Sequence, residues 1–265
     1  MITIINGGTQ GLGEAVARKL VADGSTGLVL TGRSVDRGER LAAELSDLGT
    51  PTEFVQVDIA SDDAPAKIVG RCDERFGVVN NVVNVAALTT RSTIFDETTD
   101  HFNAMMATNV KAPYFLIQAA AKLMVREGAA GSIVNVGSTS GHGGQPRLSS
   151  YSMSKAALLV MTKNLAYGLM RHGIRVNQVN PGWMDTESEH YVQLKEENAA
   201  EDWLVAAEAG RPMGRLVKPW EVANTIAFCL SLESGMMTGN HIDMDQSVQG
   251  AGNPPMPSAD EVPQL

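Results

Sequence analysis

Two pairs in this sequence set a phenol four residues ahead of an ammonium: Tyr151 with Lys155, and Tyr191 with Lys195. On a helix that spacing puts both groups on one face. A cation there stabilises phenolate and brings a tyrosine toward the range in which it can pass a proton near neutral pH. Spacing alone does not choose between the pairs, but context does. Tyr151 opens a helical stretch that follows an apolar run ending at Ser138, so a hydroxyl stands at a strand's carboxyl end. Open α/β sheets take their ligands at that edge. Tyr191 lies in a polar, acidic segment and reads as a surface or lid residue.

A second group of residues suits a phosphate. Asn6-Gly7-Gly8-Thr9-Gln10-Gly11-Leu12-Gly13 links the first apolar run to a helical pattern. Its spacing, Gly7-x3-Gly11-x-Gly13, is not GxGxxG, yet the glycines equally let a backbone turn approach a pyrophosphate at a helix N-terminus. A turn that merely needs positive φ is the simpler alternative. Roughly twenty residues on, an NAD-selective fold places a carboxylate against the ribose 2′-hydroxyl. Here that zone reads Gly32-Arg33-Ser34. A guanidinium without a carboxylate suits a 2′-phosphate, whereas an Arg33 stacked on adenine would suit either cofactor. Gln10 leaves the glycine turn itself without a basic residue. NADP(H) is favoured, with NAD(H) the alternative.

The elements that must position these residues are legible as short apolar runs alternating with helix-period stretches. Strands are expected at Ile2–Asn6, Leu28–Thr31, Phe54–Val57, Val79–Asn84, Ser132–Val136, Arg175–Val179 and Asn240–Asp243. Their Val- and Ile-rich character with little alternation is that of strands buried on both faces. Helices are expected at Gly11–Ala22, Asp36–Leu48, Asp62–Phe76, Thr99–Arg126, Ser150–His172 and Pro219–Leu232. Ser61, Thr98/Thr99 and Pro219 supply start signals. The alternation predicts an α/β fold: a doubly wound, Rossmann-type parallel sheet of about seven strands with helices on both faces. The chain reads as one domain over 1–265, with an inserted substrate lid at 183–215 and an extended C-terminal tail at 253–265.

Composition excludes other classes. The 265 residues carry 21 Lys+Arg against 30 Asp+Glu, a formal net charge of −9, which disfavours nucleic-acid or anionic-membrane partners. No apolar run reaches the ~18 residues of a membrane span. The N-terminus has no signal-peptide pattern, and Cys72 and Cys229 make neither a disulfide framework nor a metal site. A reduced, cytoplasmic protein is expected.

Taken in order along nearly the whole chain, these residues resemble the short-chain dehydrogenase/reductase family. Asn6–Gly13 resembles its TGxxxGxG turn with Asn6 in place of Thr. Asp58 resembles the acid that bonds the adenine amine, and Asn84-Val85-Ala86-Ala87 resembles NNAG. Asn109, Ser138, Tyr151 and Lys155 resemble the catalytic tetrad, and Asn180-Pro181-Gly182 with Thr186 resembles the nicotinamide turn. The resemblance implies that Tyr151 exchanges a proton with the substrate oxygen and that Ser138 orients that oxygen. It implies that Lys155 bonds the nicotinamide ribose and lowers the Tyr151 pKa, while Asn109 holds a water that links Lys155 to solvent. The implied cofactor set is Gly7, Thr9, Gln10, Gly11, Leu12, Gly13, Arg33, Ser34, Asp58, Ile59, Asn84, Ala86, Tyr151, Lys155, Pro181, Gly182 and Thr186.

Ser140, His142, Gln145, Trp183, Met184 and Glu187 are the candidate substrate contacts, with Arg147 nearby; each also has a plain role in loop solvation or lid packing. The stretch Glu196–Glu208 reads as a solvated acidic helix face. The expected reaction is hydride exchange between a nicotinamide cofactor and a secondary alcohol or ketone, favoured to be a sugar, polyol or cyclic alcohol. A hydrophobic ketone, hydroxysteroid or 3-oxoacyl thioester is the alternative, and a non-catalytic NAD(P)-binding regulatory protein is the alternative from another class. The family resemblance also implies a homo-oligomer, a tetramer or dimer, paired through the helices at Thr99–Arg126 and Ser150–His172.

Overall fold

Seven strands form one all-parallel sheet in the order β3-β2-β1-β4-β5-β6-β7. They are β1 Ile2–Asn6, β2 Gly27–Gly32, β3 Thr52–Gln56, β4 Asn81–Asn84, β5 Gly131–Val136, β6 Ile174–Pro181 and β7 His241–Met244. The computed structural model describes residues 1–248; the tail expected at 253–265 lies outside the described residues. The central strands are buried on both faces, as the unbroken apolar runs predict. The edge strands β3 and β7 are only partly covered, because each has a neighbour on one side alone.

Helices α1 Gly11–Ala22, α2 Val35–Asp47 and α9 Pro219–Leu230 pack one face through Val16, Leu20, Leu41, Leu45, Val222 and Ile226. Helices α3 Ala64–Phe76, α5 Ala112–Arg126 and α6 Ser149–Leu169 pack the other through Ile68, Leu116, Ile117, Leu158 and Met161. Three expectations need correction. Ser61 does not cap α3: the helix starts at Ala64 after Asp63, with Pro65 in its first turn. The helix expected over Thr99–Arg126 is broken into α4 Thr99–Met106, a π turn at Ala107–Lys111, and α5. Thr98 caps α4 as expected, accepting a hydrogen bond from the His101 N–H. Between β6 and α9 the chain forms α7 Glu187–Lys195 and α8 Trp203–Ala209, so the acidic stretch 196–208 is not one helix. It is not merely solvated either. Glu197 takes Arg91 and Arg147, and Glu208 accepts from Lys218 and from the Leu216 N–H.

The carboxyl ends of the strands are joined by a file of polar side chains that donate in one direction. Gly7 N–H donates to Thr31 Oγ1, Thr31 to Asn6 Oδ1, Asn6 to Asn84 Oδ1, and Asn84 to Asn135 Oδ1. Asn135 then donates to Thr162 Oγ1 at 3.0 Å, Thr162 to Gln178, Gln178 to Asn180, and Asn180 to Asp243 Oδ1 at 2.8 Å. The file crosses β2, β1, β4, β5, β6 and β7 in spatial order and ends on a carboxylate. Its members from Thr31 to Asn180 are buried, so each bond substitutes for lost water, and aligned donors polarise one another. Gly137 lets the file pass, since a Cβ there would stand 2.0 Å from Asn180 Oδ1. Asn135→Ala strands the Asn84 amide and leaves a void. It is expected to lower unfolding stability by about 2–4 kcal/mol in urea denaturation, against less than about 0.5 kcal/mol for an exposed Asn→Ala change.

Candidate active site

The polar file sets the strand ends at which the chemistry-bearing residues collect. β5 stops at Val136, two residues before Ser138, and the chain turns into a 3-10 turn at Thr139–His142. Ser138 Oγ caps that turn by accepting from the Ser140 N–H at 3.1 Å. One lone pair is therefore fixed by the main chain, and the hydroxyl proton is left to donate into the site. Tyr151 stands half-buried in the first turn of α6, with Lys155 one turn on. The Lys155 Nζ lies 5.6 Å from the Tyr151 ring centroid and donates to the Val136 carbonyl at 2.8 Å. The second pair does not share this setting: Tyr191 is 62% exposed on α7.

Burial governs both ionisations. Desolvation holds the Tyr151 phenol above its ordinary pKa; the Ser138 hydroxyl pulls it back, and the Glu189 carboxylate pushes it further up. Lys155, enclosed by protein, is brought down to about 8 by the same desolvation. Spacing predicted a phenol lowered by its lysine. In the protein alone burial raises the phenol, and the lysine is the group whose pKa falls.

Asn109 sits in the π turn, and its side chain is fully engaged. Oδ1 accepts from the Leu88 N–H at 2.8 Å, while Nδ2 donates to the Leu88 carbonyl and to Ser154 Oγ. A π turn in a helix commonly marks a functional position; here it ties the segment after β4 to the helix bearing Tyr151. Any water that Asn109 holds would rest on its main chain.

The glycine turn fits a dinucleotide. Gly7 and Gly11 have φ of +80° and +52°. A Cβ on Gly13 would stand 1.9 Å from the Gly7 carbonyl oxygen, and one on Gly7 would stand 2.7 Å from the Ala86 nitrogen. No side chain caps α1, so its first N–H groups are open to an anion. Thr9 and Leu12 are buried at this turn. Gly32 carries no side chain because a Cβ would press on Thr9 Oγ1 at 2.7 Å. Arg33 and Asp58 line a cavity of about 280 Å³ with Gln56, Val57, Ser61, Asp63 and Lys67, and Ser34 and Ile59 flank them. Arg37, which sequence reading missed, reaches from the first turn of α2 to hydrogen-bond Gln10. A second guanidinium thus stands at the glycine turn. The Asn84 side chain is spent in the polar file, and Asn6, where the family pattern has Thr, is also a member of that file.

At the β6 end, Pro181 closes the strand, and Gly182 is required because a Cβ would stand 2.0 Å from Asp245 Oδ1. Thr186 caps α7, accepting from the Glu189 N–H. Met184 pairs with Val217 in an isolated bridge and packs on the core. Trp183 stacks on Trp203 at 5.8 Å and donates from Nε1 to Glu189. Ser140 is buried, Gln145 and Glu187 are exposed, His142 bonds Asp243 at 3.0 Å, and Arg147 pairs with Glu197. Among the described residues no cluster suited to a metal occurs, and no helix is long and apolar enough to cross a membrane.

A family model described as "Enoyl-(Acyl carrier protein) reductase" matches residues 7–248. The chain belongs to the short-chain dehydrogenase/reductase family. It is an oxidoreductase built to hold a nicotinamide cofactor. An NADP-dependent (R)-specific alcohol dehydrogenase of Lentilactobacillus kefiri is 31% identical over 247 residues, covering 92% of this chain and 94% of that one. A galactitol 2-dehydrogenase of Agrobacterium fabrum is 26% identical over 249 residues, covering 92% and 95%. The solved structure of an actinorhodin polyketide ketoreductase variant with NADPH superposes with a TM-score of 0.87 at 26% identity, covering 92% and 95%.

The buried lysine of this short-chain dehydrogenase/reductase has a measurable signature. The unfolded chain keeps its Lys155 proton up to about 10.5, whereas the folded chain releases it near 8. Between those values the unfolded state binds more protons, so stability rises with pH. Relative to Lys155→Met, the wild type is expected to gain roughly 3 kcal/mol across that window. Denaturant unfolding of both proteins at its two ends measures the difference, and an invariant difference would show an ammonium that is not desolvated.

Proposed function

We propose that this protein interconverts a secondary alcohol and a ketone with NADP(H), and that its substrate is a sugar, polyol or related cyclic alcohol. The observation that carries the reaction is the arrangement of three groups at the β5 edge: a serine hydroxyl fixed by the Ser140 N–H, the Tyr151 phenol beside it, and the enclosed Lys155 ammonium. When bound, a nicotinamide ring supplies or accepts the hydride. The protein does the rest. Ser138 donates to the substrate oxygen and polarises it. Tyr151 delivers a proton to that oxygen in reduction and removes one in oxidation. Lys155, anchored on Val136, is placed to bond a ribose hydroxyl and to stabilise the phenolate that oxidation requires.

The 2′-phosphate preference is supported by Arg33 and Arg37 together. They flank a zone where Gly32 excludes the carboxylate that would select a free ribose hydroxyl. The substrate class is supported by the polar residues around the mouth of the site and by the galactitol 2-dehydrogenase likeness.

Cofactor reduction with a panel of polyols, sugars and cyclic alcohols tests the reaction. Tyr151→Phe is expected to reduce kcat by about 10²–10⁴-fold while cofactor binding persists; an active Phe variant would remove Tyr151 from the chemistry. In the same assay, Arg33→Ala combined with Arg37→Ala is expected to lower kcat/KM for NADP⁺ by about a hundredfold and to change NAD⁺ only a few-fold. An equal loss with both cofactors would refute recognition of the 2′-phosphate.

A further inference from the structure

The segment after β4 carries a second cluster of protonatable side chains, and it is tied to the start of α6. Thr90 Oγ1 lies 2.6 Å from His101 Nε2, and His101 Nδ1 lies 2.5 Å from Glu97 Oε1. The other carboxylate oxygen, Oε2, accepts from Ser92 Oγ at 2.5 Å. Ser92 Oγ is in turn 3.3 Å from the hydroxyl of Ser150, the residue that precedes Tyr151.

Donor counting orders these contacts. An ionised carboxylate only accepts, so His101 carries its proton on Nδ1, and its bare Nε2 takes the Thr90 hydroxyl. Ser92 spends its one proton on Glu97, so Ser150 is the donor between the two serines. Both branches therefore end on Glu97. Desolvation would raise that carboxyl, but hydrogen bonds from Ser150, Ser92 and His101 outweigh it and hold the group down to about 2. Ser92 and Ser150 are buried, so neither hydroxyl has water as a substitute partner. Main-chain bonds run alongside: the Ser92 N–H donates to the Arg147 carbonyl at 3.1 Å, and the Ser149 N–H donates to the Ser92 carbonyl at 3.4 Å. No side chain caps α6 at Leu148, so the grip on its first turn comes from outside the helix.

We propose that Glu97 is a positioning residue for Tyr151: oriented by His101, its carboxylate holds Ser92, Ser92 holds Ser150, and the first turn of α6 thereby presents the phenol to the substrate oxygen. This rests on the alcohol–ketone reading above and adds a residue to it.

Substitutions at one position separate contact from charge. Glu97→Ala removes both acceptors. Glu97→Gln removes the charge but keeps a carbonyl oxygen for Ser92 and, against the other histidine tautomer, an amide N–H for His101. Glu97→Ala is expected to lower kcat about tenfold or more, with KM and cofactor Kd within about twofold of the wild type. Glu97→Gln is expected to recover most of that loss. A Gln variant as slow as Ala, or a cofactor Kd that weakens in step with kcat, overturns the proposal. Ser150→Ala breaks the last link, so Glu97→Ala added to it is expected to cost no more than the larger single loss; losses that multiply in full overturn the proposal. The ultraviolet difference between each protein and its Tyr151→Phe counterpart reads the phenol without turnover. Its midpoint is expected to fall with Glu97→Ala and with Ser150→Ala, as water reaches a phenol that burial holds up, and to stay at the wild-type value with Glu97→Gln. If either alanine leaves the midpoint unmoved, the proposal falls. Wild-type silence on every alcohol would sink the alcohol–ketone reading, while this titration would still decide whether Glu97 places the phenol.

Discussion

Amides at the carboxyl ends of buried parallel strands must be hydrogen-bonded without water, and the site depends on how that demand is met. Parallel sheets bury their central strands on both faces. Thr31, Asn6, Asn84, Asn135, Gln178 and Asn180 can therefore pair only with one another, with Thr162 beneath them, and finally with Asp243. An unpaired member would cost as much as several ordinary bonds contribute. The file thus fixes the relative height of the strand ends. At one extreme it receives the Gly7 N–H of the glycine turn; at the other, Asp243 holds His142 in the loop that follows Ser138.

The groups gathered at the β5 end are less comfortable. Lys155 is an ammonium inside protein, and the loss of water around it lowers its pKa to about 8. The broken helix at Ala107–Lys111 is a similar compromise: a regular helix there would give up the π turn from which Asn109 reaches both Leu88 and Ser154. The segment over the site is locked by its own polar contacts. Trp183, Glu189 and Arg91 form one set, and Asp185, His190, Lys218 and Glu208 form another. These sets fasten α7 and α8 to the strand ends.

Much of this was legible residue by residue. The apolar runs gave the seven strands to within a few positions, and the glycine spacing marked a turn that collisions at Gly7 and Gly13 confirm as necessary. Context read Tyr191 as a surface or lid residue, and it is exposed on α7. The misreadings share a cause. Thr99–Arg126 has continuous helical periodicity, and periodicity carries no mark of a π turn whose purpose is a contact far along the chain. Arg37 was passed over because its partner, Gln10, lies 27 residues away.

The sequence by itself determined the α/β alternation, the glycine turn, the Tyr–Lys face and the absence of a carboxylate at Gly32. Each follows from period, spacing or residue type within one or two elements. Only the tertiary structure decided which polar side chains are spent on one another, which are left to meet a ligand, and which way the phenol and ammonium shift. Those outcomes depend on desolvation and on partners brought from distant strands, and both come into being only when the sheet closes over them.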